Sequence, residues 1–168
     1  MLDFQNKKIF YSMGSGFGVA LNKLNAFDRA LLSAGCANYN LIRVSSILPA
    51  NAQMVTGINF VEGSLLPVAF AKKIGGPTEE KLTFAAAVAI GIPDDNSKAG
   101  VIMEWSGISD ESTARKKVIS MVNTAMSDRN ILNYSTKVSS IEKESSSSMF
   151  TCVFAYVALL PQAQTQQC

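Results

Sequence analysis

Seven consecutive residues, Phe84-Ala85-Ala86-Ala87-Val88-Ala89-Ile90, carry no polar side chain, and the turn signals Gly75-Gly76-Pro77 and Pro93-Asp94-Asp95 bracket the run around them. From Leu82 to Ile92 the run suits a strand and falls short of the ~20 apolar residues a membrane helix needs. Alternate side chains of a strand point to opposite faces, so a strand apolar at every position must be covered on both sides. An αββα sandwich satisfies that demand.

The remaining pattern agrees. Lys8 to Met13 reads as a strand broken by Gly14-Ser15-Gly16-Phe17-Gly18. Asn25 to Leu32 has helical period, with Phe27, Leu31 and Leu32 on one face and Gly35 as its stop. Asn25 is the expected N-cap, and Asp28 three residues on completes a capping-box-like start. Leu41 to Ile47, Leu65 to Lys72, Leu82 to Ile92 and Gly100 to Trp105 read as strands. Asp110 to Arg129 is the strongest helix, capped by Ser109 or Asp110, with an apolar stripe of Ala114, Val118, Met121, Val122 and Met126. Val138 to Ser140 is expected to pair with Met149 to Leu160 as a last hairpin, and the Gln-rich Pro161 to Cys168 to hang free. Two helices among largely consecutive strands indicate an α+β fold with mainly antiparallel sheets, in a single domain over 1–168.

Composition removes several functions. With 15 Lys+Arg against 13 Asp+Glu the formal charge is +2, and no basic run marks a nucleic-acid site. There is no histidine, hence no Ser-His-Asp triad and no histidine-ligated zinc. Cys36, Cys152 and Cys168 fit neither a disulfide framework nor a metal site, and the first two read as small buried hydrophobes. No signal-peptide pattern opens the sequence and no stretch suits a membrane span, so a cytoplasmic location is expected. The Gly14–Gly18 cluster lacks the Lys-Ser/Thr of a phosphate-binding loop and reads as a turn.

The informative stretch is Leu24 to Pro49, LNAFDRALLSAGCANYNLIRVSSILP. It resembles the pyruvoyl-dependent arginine decarboxylase family in its LNAFD, AG, N-x-N-L-I-R and SSI-x-P elements. Gly63 to Pro67, Ala86 to Ile90 and the GVIMEW-x-G of Gly100 to Gly107 follow in the family's order, so the resemblance runs from about Gly14 to Leu160. Alone, the Ser45-Ser46 pair reads as a strand ending in two hydroxyls before a proline turn.

The resemblance implies more. The Ser46 hydroxyl attacks the Ser45 carbonyl, the resulting ester eliminates to dehydroalanine, and addition of water with loss of ammonia leaves a pyruvoyl group. The products are a β chain, 1–45, and an α chain, 46–168. The pyruvoyl group is then the covalent cofactor for converting L-arginine to agmatine and CO2, with neither pyridoxal phosphate nor a metal. Glu104 is the implied proton donor, and strand alternation places it with Ile102, opposite Val101, Met103 and Trp105. Burial of a carboxyl disfavours its charged form, which suits a general acid. Asp28 is implied to grip the substrate guanidinium, and Asn40 to act near the pyruvoyl group. Yet six extended residues span roughly 20 Å, so Asn40 reaches Ser46 only if the chain bends or a subunit boundary intervenes. Arg43 reads as a structural ion-pair partner. Homo-oligomers, as trimers or paired trimers, are also implied, with no nucleic-acid or membrane partner. The alternatives are a pyruvoyl decarboxylase for another amino acid, and an uncleaved, non-catalytic assembly subunit.

Overall fold

The computed structural model describes residues 9–161, and within them the all-apolar run becomes β6, Thr83–Pro93. Its two faces enter two different cores. Ala85, Ala87 and Ala89 pack with Val118, Val122 and Met126 of helix α2 (Glu111–Ser127), while Phe84, Ala86, Val88 and Ile90 face a second sheet. β9, Phe150–Pro161, does the same on the other side: Phe154, Tyr156 and Ala158 meet helix α1 (Lys23–Ala34), and Val153, Ala155 and Val157 face inward. The layers run α1, sheet, sheet, α2, so the αββα expectation holds.

The strands are β1 (Ile9–Ala20), β2 (Asn40–Arg43), β3 (Ile47–Leu48), β4 (Gln53–Met54), β5 (Leu65–Gly75), β6, β7 (Gly100–Ile108), β8 (Tyr134–Glu144) and β9. A five-stranded sheet has the order β2-β5-β9-β1-β4, and a four-stranded sheet the order β3-β7-β6-β8. Among the described residues, only the edge pairs β2–β5 and β1–β4 are parallel. The edges β2 and β3 are joined by only three residues, Val44 to Ser46, so the chain changes sheets there.

Several local expectations are corrected. The glycines of the 14–18 cluster do not end the first strand; β1 runs through them, paired with β9 from Ile9↔Pro161 to Ala20↔Phe150. Their lack of a side chain admits α1. A Cβ on Gly16 would lie 2.5 Å from the Ala34 nitrogen, and one on Gly18 would overlap the Ala26 carbonyl oxygen and lie 2.5 Å from the Ala30 nitrogen. The N-cap of α1 is Asn22, whose Oδ1 accepts from the Asn25 N–H at 2.9 Å, so Asp28 falls beyond the first turn and caps nothing. Ala26, Ala30 and Leu31 are its buried residues, whereas Leu32 is exposed. Gly35 ends the helix as expected, at φ 80°. In α2 the Asp110 cap holds, accepting from Thr113 N–H at 2.7 Å, but Met121 faces out and Ala125 completes the stripe. The last hairpin does not form. β8 pairs with β6, and β9 lies between β5 and β1 in the opposite sheet, because each strand fills the centre or edge of a different layer. The expected strand from Leu41 to Ile47 is interrupted at the sheet crossing. Of the tail, residues after Pro161 lie outside the described ones.

Candidate active site

The sheet crossing builds the site. On its upstream side the Val44 N–H donates to the Val68 carbonyl at 3.2 Å, keeping that end on the β2–β5 edge. Downstream, the Ser46 carbonyl accepts from the Ile102 N–H at 2.9 Å, starting the β3–β7 pairing. Ser46 turns between these anchors at φ 53°, in the left-handed region. A residue with a side chain is strained there by about 1–3 kcal/mol, and such strain persists only where flanking contacts impose it. The two backbone anchors are those contacts.

The turn aims Ser46 at Glu104. Ser46 Oγ donates to Glu104 Oε2 at 3.0 Å, and Arg43 Nη2 donates to Glu104 Oε1 at 2.6 Å. The same nitrogen donates to the Phe70 carbonyl at 3.1 Å, and the guanidinium lies 4.6 Å from the Phe70 ring centroid. The Glu104 side chain is 19% exposed and that of Arg43 58%. Strand alternation put Glu104 on the expected face: Ile102 is in the inter-sheet core, and Val101 packs toward α2 with Met103 and Trp105. The carboxyl is not alone among apolar groups, however, since β2 brings it a guanidinium.

Beside this pair opens a cleft of about 260 Å³ lined by Arg43, Phe70, Ala71, Lys72, Glu104, Trp105 and Ser106. Phe70 supplies apolar wall, Arg43 and Lys72 positive charge, and Ser106 Oγ ties β7 to β5 by donating to the Lys72 carbonyl at 2.8 Å. The Trp105 ring itself packs on the α2 side of β7, under Lys117. Reasoning from the sequence missed Phe70 and Lys72. Their signal was the start of a Lys-Lys pair in an otherwise apolar strand.

Asn40 and Asp28 are not brought to Ser46 within this chain. Asn40 occupies the far end of β2, where its Nδ2 donates to the Gly63 carbonyl at 2.6 Å and its N–H to the Ser64 carbonyl at 2.9 Å. Asp28 is exposed on α1, outside the residues that line the cleft. Its neighbour Phe27 does touch the cleft wall, with Lys72 Nζ 4.1 Å from the ring centroid. Burial pushes the thiols of Cys36 and Cys152 up to about 12, so both are inert. Among the described residues no group of His, Cys, Asp and Glu side chains is arranged to hold a metal, and no helix is long and apolar enough to cross a membrane.

A serine hydroxyl held against a carboxylate, in a strained linker between two sheets and beside a small cleft, is the layout of a site that could process its own backbone. Comparison with known proteins gives the family. Residues 8–164 match the pyruvoyl-dependent arginine decarboxylases, and the chain belongs to that family. It is similar to the pyruvoyl-dependent arginine decarboxylase of Methanococcus aeolicus, 38% identical over 148 residues that cover 88% of this chain and 87% of the relative. The corresponding proteins of Methanococcus vannielii and Methanocaldococcus jannaschii are each 36% identical over 148 residues, covering 88% of this chain and 88% and 87% of theirs.

Ser46 fits the group that the family name implies. It is the residue at the strained junction, its Oγ is already directed at Glu104, and the cleft adjoins that carboxylate.

Proposed function

We propose that this chain converts L-arginine to agmatine and CO2, using a pyruvoyl group derived from its own Ser46. The observation that carries the reading is the Ser46–Glu104 hydrogen bond at the left-handed junction between the sheets. On this reading the chain is one domain over 1–168, cut between Ser45 and Ser46 when the Ser46 hydroxyl attacks the Ser45 carbonyl. Strain at Ser46 favours that step, because the ground state carries a cost that cleavage releases. The pyruvoyl ketone supplies a sink for the electrons released with CO2.

The chain's own residues do the rest. Glu104 donates the proton that replaces the carboxylate, from a position within hydrogen-bond reach of residue 46. Phe70, whose ring lies against Arg43 at the cleft, shields the reacting end from water. Asp28 binds the substrate guanidinium, for which a carboxylate is the matched partner. Asn40 anchors the site during processing or substrate binding.

Asp28 and Asn40 can serve residue 46 if a second copy closes the cleft, so we propose a homo-oligomer, a trimer or pair of trimers. The exposed apolar Ile42, Ile47, Val61 and Leu65 on and beside the β2 and β3 strands support this. A cytoplasmic location belongs to the same reading, in keeping with the free thiols at Cys36 and Cys152.

The test is mass spectrometry of the purified protein, followed by assay of agmatine and CO2 from a panel of amino acids. Two fragments meeting at 45/46 with preference for arginine support the proposal. One intact chain would assign an uncleaved assembly subunit, and activity on another amino acid alone a different substrate.

A further inference from the structure

We infer that Arg43 is a positioning residue, which holds the Glu104 carboxylate at residue 46 after the backbone has been cut and so governs turnover rather than arginine affinity. This rests on the reading above, in which Glu104 supplies the proton.

Glu104 spends its two oxygens on two partners, Oε2 on the Ser46 hydroxyl and Oε1 on Arg43. Conversion of Ser46 removes the first partner, since the hydroxyl oxygen leaves with the upstream fragment as part of its new carboxyl group. Arg43 is then the side chain that still fixes the carboxylate. It is itself fixed twice, by the Phe70 carbonyl at 3.1 Å and by the face of the Phe70 ring. A planar guanidinium can stack and donate at once, as a lysine ammonium cannot.

The pair also joins the two products of the cut. Arg43 lies in 1–45 and Glu104 in 46–168, while the Val44–Val68 and Ser46–Ile102 backbone bonds hold the ends on either side. An ion pair as open as this one, with Arg43 58% exposed, adds little to stability. Its worth is therefore in geometry: a proton donor misplaced by about 1 Å can cost ~10²-fold in rate.

The experiment compares Arg43→Gln, Arg43→Lys, Glu104→Gln and the double variant Arg43→Gln/Glu104→Gln in the full chain. For Arg43→Gln we expect complete cleavage and a KM for arginine within about threefold of the parent. Its kcat should be lower by on the order of tenfold or more. Arg43→Lys, which keeps the charge and one donor, should recover part of that kcat and serves also if the glutamine variant folds poorly. In the Glu104→Gln background the Arg43 change should add almost no further loss, because the group it positions is gone. An unchanged kcat, a raised KM alone, loss of cleavage, or fully additive losses would each overturn the inference. Retained turnover in Glu104→Gln would instead sink the assignment of Glu104, which separates the two failures.

Discussion

Ser46 and Glu104 are 58 residues apart in sequence, yet the hydroxyl of one donates to the carboxylate of the other at 3.0 Å. The contact exists because β2 and β3 lie on edges of different sheets, so the three residues between them must turn sharply beside β7. On the proposed reading, nucleophile, acid and strain share one location.

Replacing the hydroxyl tests the cut directly. Ser46→Ala should give one folded chain of full length without decarboxylase activity, since alanine fills nearly the same space and keeps no nucleophile. Intact-mass measurement decides it: two fragments from this variant would remove Ser46 from its role.

Glu104→Gln should still be cleaved and still bind arginine, because the amide oxygen can accept the Ser46 hydroxyl in place of the carboxylate. Turnover should fall by about 10²–10⁴-fold, the usual contribution of a positioned general acid. Activity within a few-fold of the parent would move proton delivery to another group.

Asp28→Asn should raise the KM for arginine while leaving cleavage at Ser46 and thermal stability nearly unchanged. The exposed carboxylate lies beyond the first turn of α1 and caps nothing there, so the substitution removes a binding charge without disturbing the helix start. Equal use of arginine and lysine by the parent protein, or an unchanged KM in the variant, would contradict the substrate role.

Gly18→Ala should destabilise the protein by about 1–3 kcal/mol, as overpacking does, and lower its melting temperature by several degrees. The new methyl group would meet the backbone of α1 at Ala26 and Ala30, which cannot rotate away as a side chain can. A variant melting with the parent would show that α1 shifts freely on the sheet.

Alkali should loosen the fold. Burial raises Cys36 from 9.0 to about 12, Cys152 likewise, and Tyr156 from 10.0 to about 12. Each folded value lies above the ordinary one, so the stabilisation is complete below pH ~9 and is lost as pH rises toward ~12. Urea midpoints should fall across that window, and iodoacetamide at pH 8 should leave Cys36 and Cys152 unmodified in the native protein.

The layer order was legible because β6 is apolar on both faces, and only cover on both sides reconciles that with water. Helix α2 was legible from its stripe and its Asp110 cap. The glycines of β1 misled because glycine most often marks a turn, whereas here it marks the close approach of a helix that local pattern cannot reveal. Pairing of β8 failed for a similar reason: adjacency in sequence suggested a hairpin, but the partner was set by which sheet had an open edge. At the site, motif resemblance singled out Ser46 and Glu104, while the Phe70 shelf and the Arg43–Glu104 pairing depend on contacts between sheets. No periodicity records those.

The placement of β1 reaches beyond the site. Residues 1–45 supply β1, which lies between β9 and β4, and both neighbours belong to 46–168. A cut at 45/46 therefore yields two polypeptides woven through one sheet, unable to part without dismantling it. Before the cut, folding is a reaction of one molecule. Afterwards, recovery from denaturant requires two separate chains to find each other, at a rate that falls with dilution. Maturation on this plan is a one-way passage: the finished protein keeps its shape while it stays folded, but has lost the means to regain it easily.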